Sequence, residues 1–426
     1  MPGITTQHFP FLRLPLELRE AVYSHYFDPA THLIACERGT GESSYRFDFN
    51  LYLASSQIYR EAQKVFQREL SFIRIEIPWR IIENHVAIKG NVPIVTSSKC
   101  AEQFNSYCLL VIVDSPVIEF ATTFTMIILL SDLHLFCRIW YYSALRKPSL
   151  NSYLRLTLRL QNPYLTSPSE APIRKSLQRQ LLMPFGKVKG FNKVLIEGGD
   201  ESVKVQLETA IEIPYDPPEK CFEDTIRLME EGTEAFQKKG YKRALKLFIE
   251  SFRAMHVFWN GRKPSIYADA HLDIRLSGGT YNGQLGTLVR LRLQIKLFAK
   301  VINVYLKLQQ WKEAKFWGMR YINFMREVMR PDRGSYATDF IAPGDFGTAM
   351  ALTYLRTAMA CKVLKGMGVE EPAEYNEPDC GDLFQVAESY LDKKVIGRDF
   401  ESNQIPVIEE ISKSKYTCLC SRWAGE

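Results

Sequence analysis

Nowhere does this 426-residue chain stay apolar for the roughly 20 residues that a membrane-spanning helix needs. The longest charge-free apolar piece, 120–131, is about a dozen residues, and Asp132, His134 and Arg138 then break the run. It reads as a buried strand leading into a buried helix. Cysteine is sparse: nine residues at irregular spacing make no disulfide framework, and no Asn-x-Ser/Thr sequon accompanies them. Both features predict a reducing compartment, cytoplasm or nucleus. The opening "MPGITTQHFPFLRLPLELRE" lacks the basic start, apolar run and small-residue cleavage site of a signal peptide, so export is not expected.

Charge of one sign is also scarce. Lys and Arg number 54 against 48 Asp and Glu, a net +6 that falls short of a nucleic-acid binder without a localised basic face. Motifs of catalysis are missing too: no Gly-x-Gly-x-x-Gly, His-Glu-x-x-His or Cys-x-x-Cys occurs. "GGTYNGQLG" has clustered glycines but no Lys-Ser/Thr to complete a phosphate loop, and reads as a mobile loop. The seven histidines have no close ligand partners; His134 and His256 sit in apolar context and read as core or rim residues. Cys418 and Cys420 lie in the tail without further ligands. The expectation is a protein that is not an enzyme and holds no metal or cofactor.

What the chain does have is an ordinary globular composition, 46% hydrophobic and 12% aromatic, spread over more length than one domain usually takes. Three segments and a tail emerge. In 1–70, Pro15 starts a helix that runs unbroken to Asp28-Pro29, and "NLYLASSQIYREAQKVF" makes a second after a polar loop. In 71–215 the period changes. Ile73, Ile75 and Ile77 alternate with Arg74 and Glu76, as Leu154 to Leu160 alternate with Arg155, Thr157 and Arg159, the pattern of strands with one wet face. "CLLVIV" and "TMIILL" suit central strands, Ser131 can cap a helix to about Leu145, and a helix near Ile173–Met183 precedes the strand "KVLIEG". An α+β middle domain is expected, ended by the linker "IPYDPPEK".

From 221 to about 400 helices recur in pairs. In the first pair Gly232, Ala235, Tyr241, Ala244, Phe248 and Ser251 stand where a helical hairpin needs small residues at the crossing and large ones around it. This resembles a tetratricopeptide repeat. A second copy carries Tyr305, Trp311, Ala314 and Tyr321, with Gly318 replacing an aromatic; a third, degenerate copy has Ala387 at the small position. The fold class is multi-domain α+β: a helical module, an α+β middle domain, a helical array and a tail over 401–426.

The first helix carries two apolar stripes, Leu18, Val22 and Tyr26 on one and Leu16, Tyr23 and Phe27 on the other, where a surface helix usually shows one. Either both are covered inside the protein or the second meets another protein. "LRLPLELREAVYSHYF" followed by "LYLASSQIYREAQKVF" resembles the F-box-like module of fungal proteins, with Leu14, Pro15, Glu17, Leu18, Arg19, Tyr23, Ile58, Tyr59, Glu61 and Ala62 matching. The resemblance implies docking onto the Skp-type adaptor protein of a cullin-RING ubiquitin ligase through Leu14, Pro15, Leu16, Leu18, Val22, Tyr23 and Phe27. It implies a substrate receptor, with the client expected on the C-terminal repeats or the middle domain.

Between Asp273 and Glu313 no acidic residue occurs, and Arg292, Lys296, Lys300, Asn303 and Lys307 align on one helix face. The stripe reads either as a solvated face or as a peptide groove for carboxylates; nucleic acid is disfavoured because no aromatics interleave for stacking. A second basic cluster, from Arg174 to Lys193, reads as the wet side of a helix and its loop. The rival to the receptor is a tetratricopeptide-type scaffold or co-chaperone that binds an acidic peptide, its N-terminal helices purely structural.

Overall fold

Pro15 sets the start of the first helix. In the structure, a computed structural model, its carbonyl accepts the Leu18 and Arg19 amides at 3.1 and 3.2 Å, and α1 runs over Leu16–Tyr26. The residues described are 10–34, 43–79, 82–115, 123–163, 173–260, 262–328, 345–369, 378 and 380–390. Helix α2 (Ser56–Glu69) is capped by Ser55, whose hydroxyl accepts the Ile58 amide at 3.1 Å. Tyr23 of α1 and Phe27, just past its end, pack on Ile58, Ala62 and Val65 of α2, with Phe11, Tyr52 and Phe66 around them. Phe66 then meets Phe72, the first residue of the sheet, with ring centroids 5.8 Å apart. The helices expected as a separate 1–70 module thus belong with the sheet to one compact unit, Met1–Tyr215.

The sheet has six strands: β1 (Phe72–Ile77), β2 (Thr96–Ser97), β3 (Leu109–Asp114), β4 (Phe124–Leu129), β5 (Arg155–Leu160) and β6 (Lys193–Glu197). Their order is β2-β4-β1-β3-β5-β6, with β1 parallel to β3 and β5 parallel to β6, the other pairs antiparallel. Ile75 stands level with Val111 on one side and Met126 on the other. The alternating strand therefore occupies the centre, between the two richest in apolar residues. Its wet residues are half-buried and satisfied, because Arg74 pairs with Glu76 at 2.7 Å and also reaches the Glu102 carbonyl at 3.1 Å. Helices α3 (Leu133–Arg146), α4 (Lys175–Leu182) and α5 (Glu201–Glu212) complete the unit. Ser131 does not cap α3: a 3₁₀ turn, Leu130–Asp132, comes first and no side chain caps the helix. The helix α5, capped by Asp200, carries no signal read from the sequence.

The second unit, Asp216–Glu426, begins inside the proline-rich stretch. It contains α6 (Pro218–Gln237), α7 (Tyr241–Ala254), a hairpin of β7 (Val257–Asn260) and β8 (Lys263–Ile266), then α8 (Gly286–Lys307), α9 (Trp311–Val328), α10 (Asp345–Gly366) and α11 (Cys380–Tyr390). Three of its helices end in the same way. A left-handed residue, Lys239, Gln309 or Gly368, is followed by an amide that bonds five residues back: Gly240 to Ala235, Gln310 to Tyr305, Val369 to Leu364, at 2.9 to 3.1 Å.

Close approach explains the small residues between the helices. A Cβ on Gly232 would lie 2.6 Å from the Phe248 ring across the α6–α7 crossing. A Cβ on Gly318 would lie 2.0 Å from Thr357 Oγ1, so the glycine in place of an aromatic marks where α10 crosses α9. The core of this unit is continuous, running from Phe222 and Phe248 through Phe298, Trp317 and Tyr321 to Leu355 and Ala387. Among the described residues no helix is long and apolar enough to cross a membrane. The tail 401–426, with Cys418 and Cys420, lies outside the described residues.

Candidate functional site

Arg19 organises the N-terminal helices. Its Nε and Nη2 donate to Glu61 at 2.9 and 2.7 Å, and its Nη1 donates to the Leu12 and Leu14 carbonyls, which draws the segment before α1 against α2. Glu61 also accepts from the Tyr23 hydroxyl and from Gln57 Nε2, each at 3.0 Å. The hydrogen bond from Arg19 is the largest influence holding the Glu61 carboxyl down to about 2. Tyr23, buried and facing that carboxylate, has its phenol pushed up to about 12, burial being the larger cause.

The ten matched residues of the resemblance fall into two groups. Arg19, Tyr23, Ile58, Glu61 and Ala62 hold the two helices together. Pro15, Glu17, Leu18 and Tyr59 face outward, and Leu14 is half-buried. Two residues expected at a docking surface are corrected by this partition: Tyr23 and Phe27, 0% and 1% exposed, are interior. Helical geometry gives the reason, since both share the azimuth of Arg19, which the Glu61 pair turns inward. The stripe left outside is Leu18 and Val22, one turn apart and 53% and 47% exposed. Leu16 stays exposed because it lies at the open end of the helix, and Leu12, which no sequence pattern singled out, is exposed as well.

The basic stripe on α8 proves to be largely engaged. Arg292 donates to Gln284 at 2.7 Å, and Arg290, buried behind the stripe, pairs with Asp269 and donates to the Tyr267 carbonyl at 2.9 Å. Lys300 donates to Thr233 Oγ1 at 2.9 Å and lies 5.8 Å from the Phe248 ring centroid. Burial, with Arg356 and Lys296 nearby, holds its ammonium below the usual lysine range. Asn303 and Lys307 are half-buried, and only Lys296 of the five is exposed. A cleft of about 450 Å³ does lie over Lys300, but Glu230, Glu234, Thr233, Gln237 and Met229 of α6 make the rest of its wall. Expectation and structure differ here: the groove is of mixed charge, because an acidic helix packs beside the basic one.

Two other constellations have reactive residue types. Cys221 Sγ lies 3.5 Å from His256 Nε2, the spacing of a thiol–imidazole pair. Burial pushes the thiol up to about 11 and the imidazole down to about 4, so both stay neutral and thiolate formation is opposed. A cleft of about 400 Å³ in the first unit is lined by Glu69, Ser71, Ser131, His134 and Gln180; His134 Nδ1 is occupied by the Ser131 carbonyl at 2.6 Å. In the second basic cluster Lys175 pairs with Asp200 at 3.0 Å and Lys189 donates to the Ala210 carbonyl. No group of three His, Cys, Asp or Glu side chains among the described residues is arranged to hold a metal ion. No protein-family model, curated protein or solved structure matches this chain.

Proposed function

We propose that this chain is a protein-interaction protein that docks through its N-terminal helices onto a Skp-type adaptor, as a substrate receptor of a cullin-RING ubiquitin ligase, and holds a client on its C-terminal helices. The observation that carries the reading is the partition of α1. Arg19, Tyr23 and Phe27 are fully used inside, while Leu12, Leu16, Leu18 and Val22 remain 44% to 53% exposed beside Pro15. A helix that needs one apolar stripe for its own fold here keeps a second. The resemblance to the F-box-like module supplies the partner for that stripe, and the adaptor-docking set becomes Leu12, Leu14, Pro15, Leu16, Leu18 and Val22.

The client surface is the face of the array that carries the α6–α8 cleft, and the hairpin pairs with their glycine crossings support reading it as tetratricopeptide-like. The scaffold reading, with its acidic peptide, loses support from the engaged cations of α8 and from the carboxylates of Glu230 and Glu234 at the cleft. A pull-down with purified Skp-type adaptor tests the proposal. Leu18→Asp with Val22→Asp should abolish capture and leave the melting temperature unchanged, since both residues are exposed. Capture retained by a folded double variant would overturn it.

A further inference from the structure

A pocket of about 80 Å³ opens in the first unit between α3 and the segment before β2. Its back is apolar and buried: Ile77, Val86, Val113, Phe136, Ile139 and Leu154. Its mouth is half-buried and of different chemistry, formed by Trp79, Ile82, His85, Trp140, Ser143 and Leu150. Two aromatic indoles and a single polar pair converging on an apolar recess are the make-up of a small-ligand site. His85 also opens a π-turn, His85–Lys89, closed by the Gly90 amide on the His85 carbonyl at 3.0 Å, a backbone irregularity that is frequent at functional sites.

The polar pair has a defined direction. Ser143 Oγ donates to the Ile139 carbonyl at 2.8 Å, so it accepts from His85 Nε2, 2.9 Å away. That places the imidazole proton on Nε2 and leaves Nδ1 as an acceptor. Burial, with Lys89 and Arg146 nearby, holds the ring below the usual histidine range and keeps it neutral. The second helix-borne group at the mouth, the Trp140 indole N–H, is already bonded to Asn151 Oδ1 at 3.0 Å. The lining therefore carries no charged side chain, and His85 Nδ1 is the acceptor that this hydrogen-bond chain leaves.

We infer that this pocket binds a small uncharged aromatic molecule carrying one O–H or N–H donor, with its ring edge in the recess and its donor on His85. The volume limits the guest to a single ring. It is about half that of an engineered cavity of about 150 Å³ that takes up benzene, so part of the ring remains between Trp79 and Trp140 at the mouth. A charged ligand is excluded by the apolar lining, and a fused bicyclic one by the size.

Ligand-observed NMR titration of the full chain with phenol and with toluene tests the assignment. Phenol should bind at least tenfold more tightly than toluene. His85→Phe should bring phenol to the toluene level, and Leu150→Trp, on a turn at the mouth, should weaken both probes at least tenfold. Thermal melts of both variants keep folding separate from binding. No binding of either probe to the native chain, phenol no tighter than toluene, or phenol binding untouched by both substitutions in folded protein would overturn it.

Discussion

At the residue scale the N-terminal helices turn on one carboxylate. Glu61 accepts from Arg19, Tyr23 and Gln57 together, and its acidity, held down to about 2, makes that contact pH-dependent in one direction only. A carboxyl more acidic folded than unfolded stabilises the fold above its ordinary value, and the gain is lost as pH falls from about 4.5 towards 2. Glu61→Gln should lower the midpoint of urea unfolding at pH 7 and flatten the acid limb of stability below pH 5. Tyr23 works in the opposite sense: its raised phenol gives a contribution present below pH 10 and lost as pH rises through about 12. In the second unit His256, neutral by burial and by the nearby His271 and Arg290, stabilises above its ordinary 6.5 and loses that as pH falls to about 4. The span corresponds to roughly 3 kcal/mol at 1.36 kcal/mol per pH unit. His256→Gln should remove that share of the dependence between pH 6.5 and 4, measured by urea unfolding at several pH values.

At the element scale the helical pairs depend on turn geometry and on missing side chains. Lys239 and Gln309 adopt left-handed backbone at the ends of α6 and α8, where Gly368 serves the same place after α10. A residue with a Cβ is disfavoured there, so Lys239→Gly and Gln309→Gly should each stabilise the second unit by about 0.5–1 kcal/mol, read from urea midpoints. Gly318 carries the reverse prediction. In a free helix Ala would be the better residue, but here the added methyl meets Thr357, and Gly318→Ala should cost about 1–3 kcal/mol. The helical spacing of Gly232, Ala244 and Phe248 is visible in the chain; the reason for Gly318 is not, because Thr357 lies on a helix whose approach no local pattern describes. The sheet shows a similar division. Alternation marks β1 and β5 plainly, yet the order that puts β1 at the centre comes from pairing across the sheet, with Arg74 and Glu76 neutralising each other on the wet face.

At the scale of the whole molecule, two units meet in sequence within a stretch rich in proline, and each described core cluster lies inside one of them. Residues 1–215 and 216–426 expressed separately should each show a single cooperative thermal transition by circular dichroism. A fragment 71–215 should not, because Phe66 and its neighbours in α2 pack on the sheet through Phe72. The exposed apolar stripe of α1 and the pocket between Trp79 and Trp140 both belong to the first unit, and the cleft over Lys300 to the second.

The sequence by itself determined where most of the strands and helices run, because the period of apolar residues and the placement of Pro15 are local properties of the chain, while α5 and the β7–β8 hairpin carried no such signal. It also determined that α1 has more apolar surface than one packing face requires. Only the tertiary structure decided which stripe is buried, since Arg19 selects its inward azimuth by pairing with Glu61, 42 positions away in the chain. The same cause gives the cleft over Lys300 its mixed charge. Five polar side chains on one helix face are legible from spacing, whereas Thr233 and Gln284 engage Lys300 and Arg292 only when other segments fold beside them. The aromatic pocket was silent for that reason too: Trp79, His85, Trp140 and Ser143 come together only when α3 packs beside β1 and the turn after it.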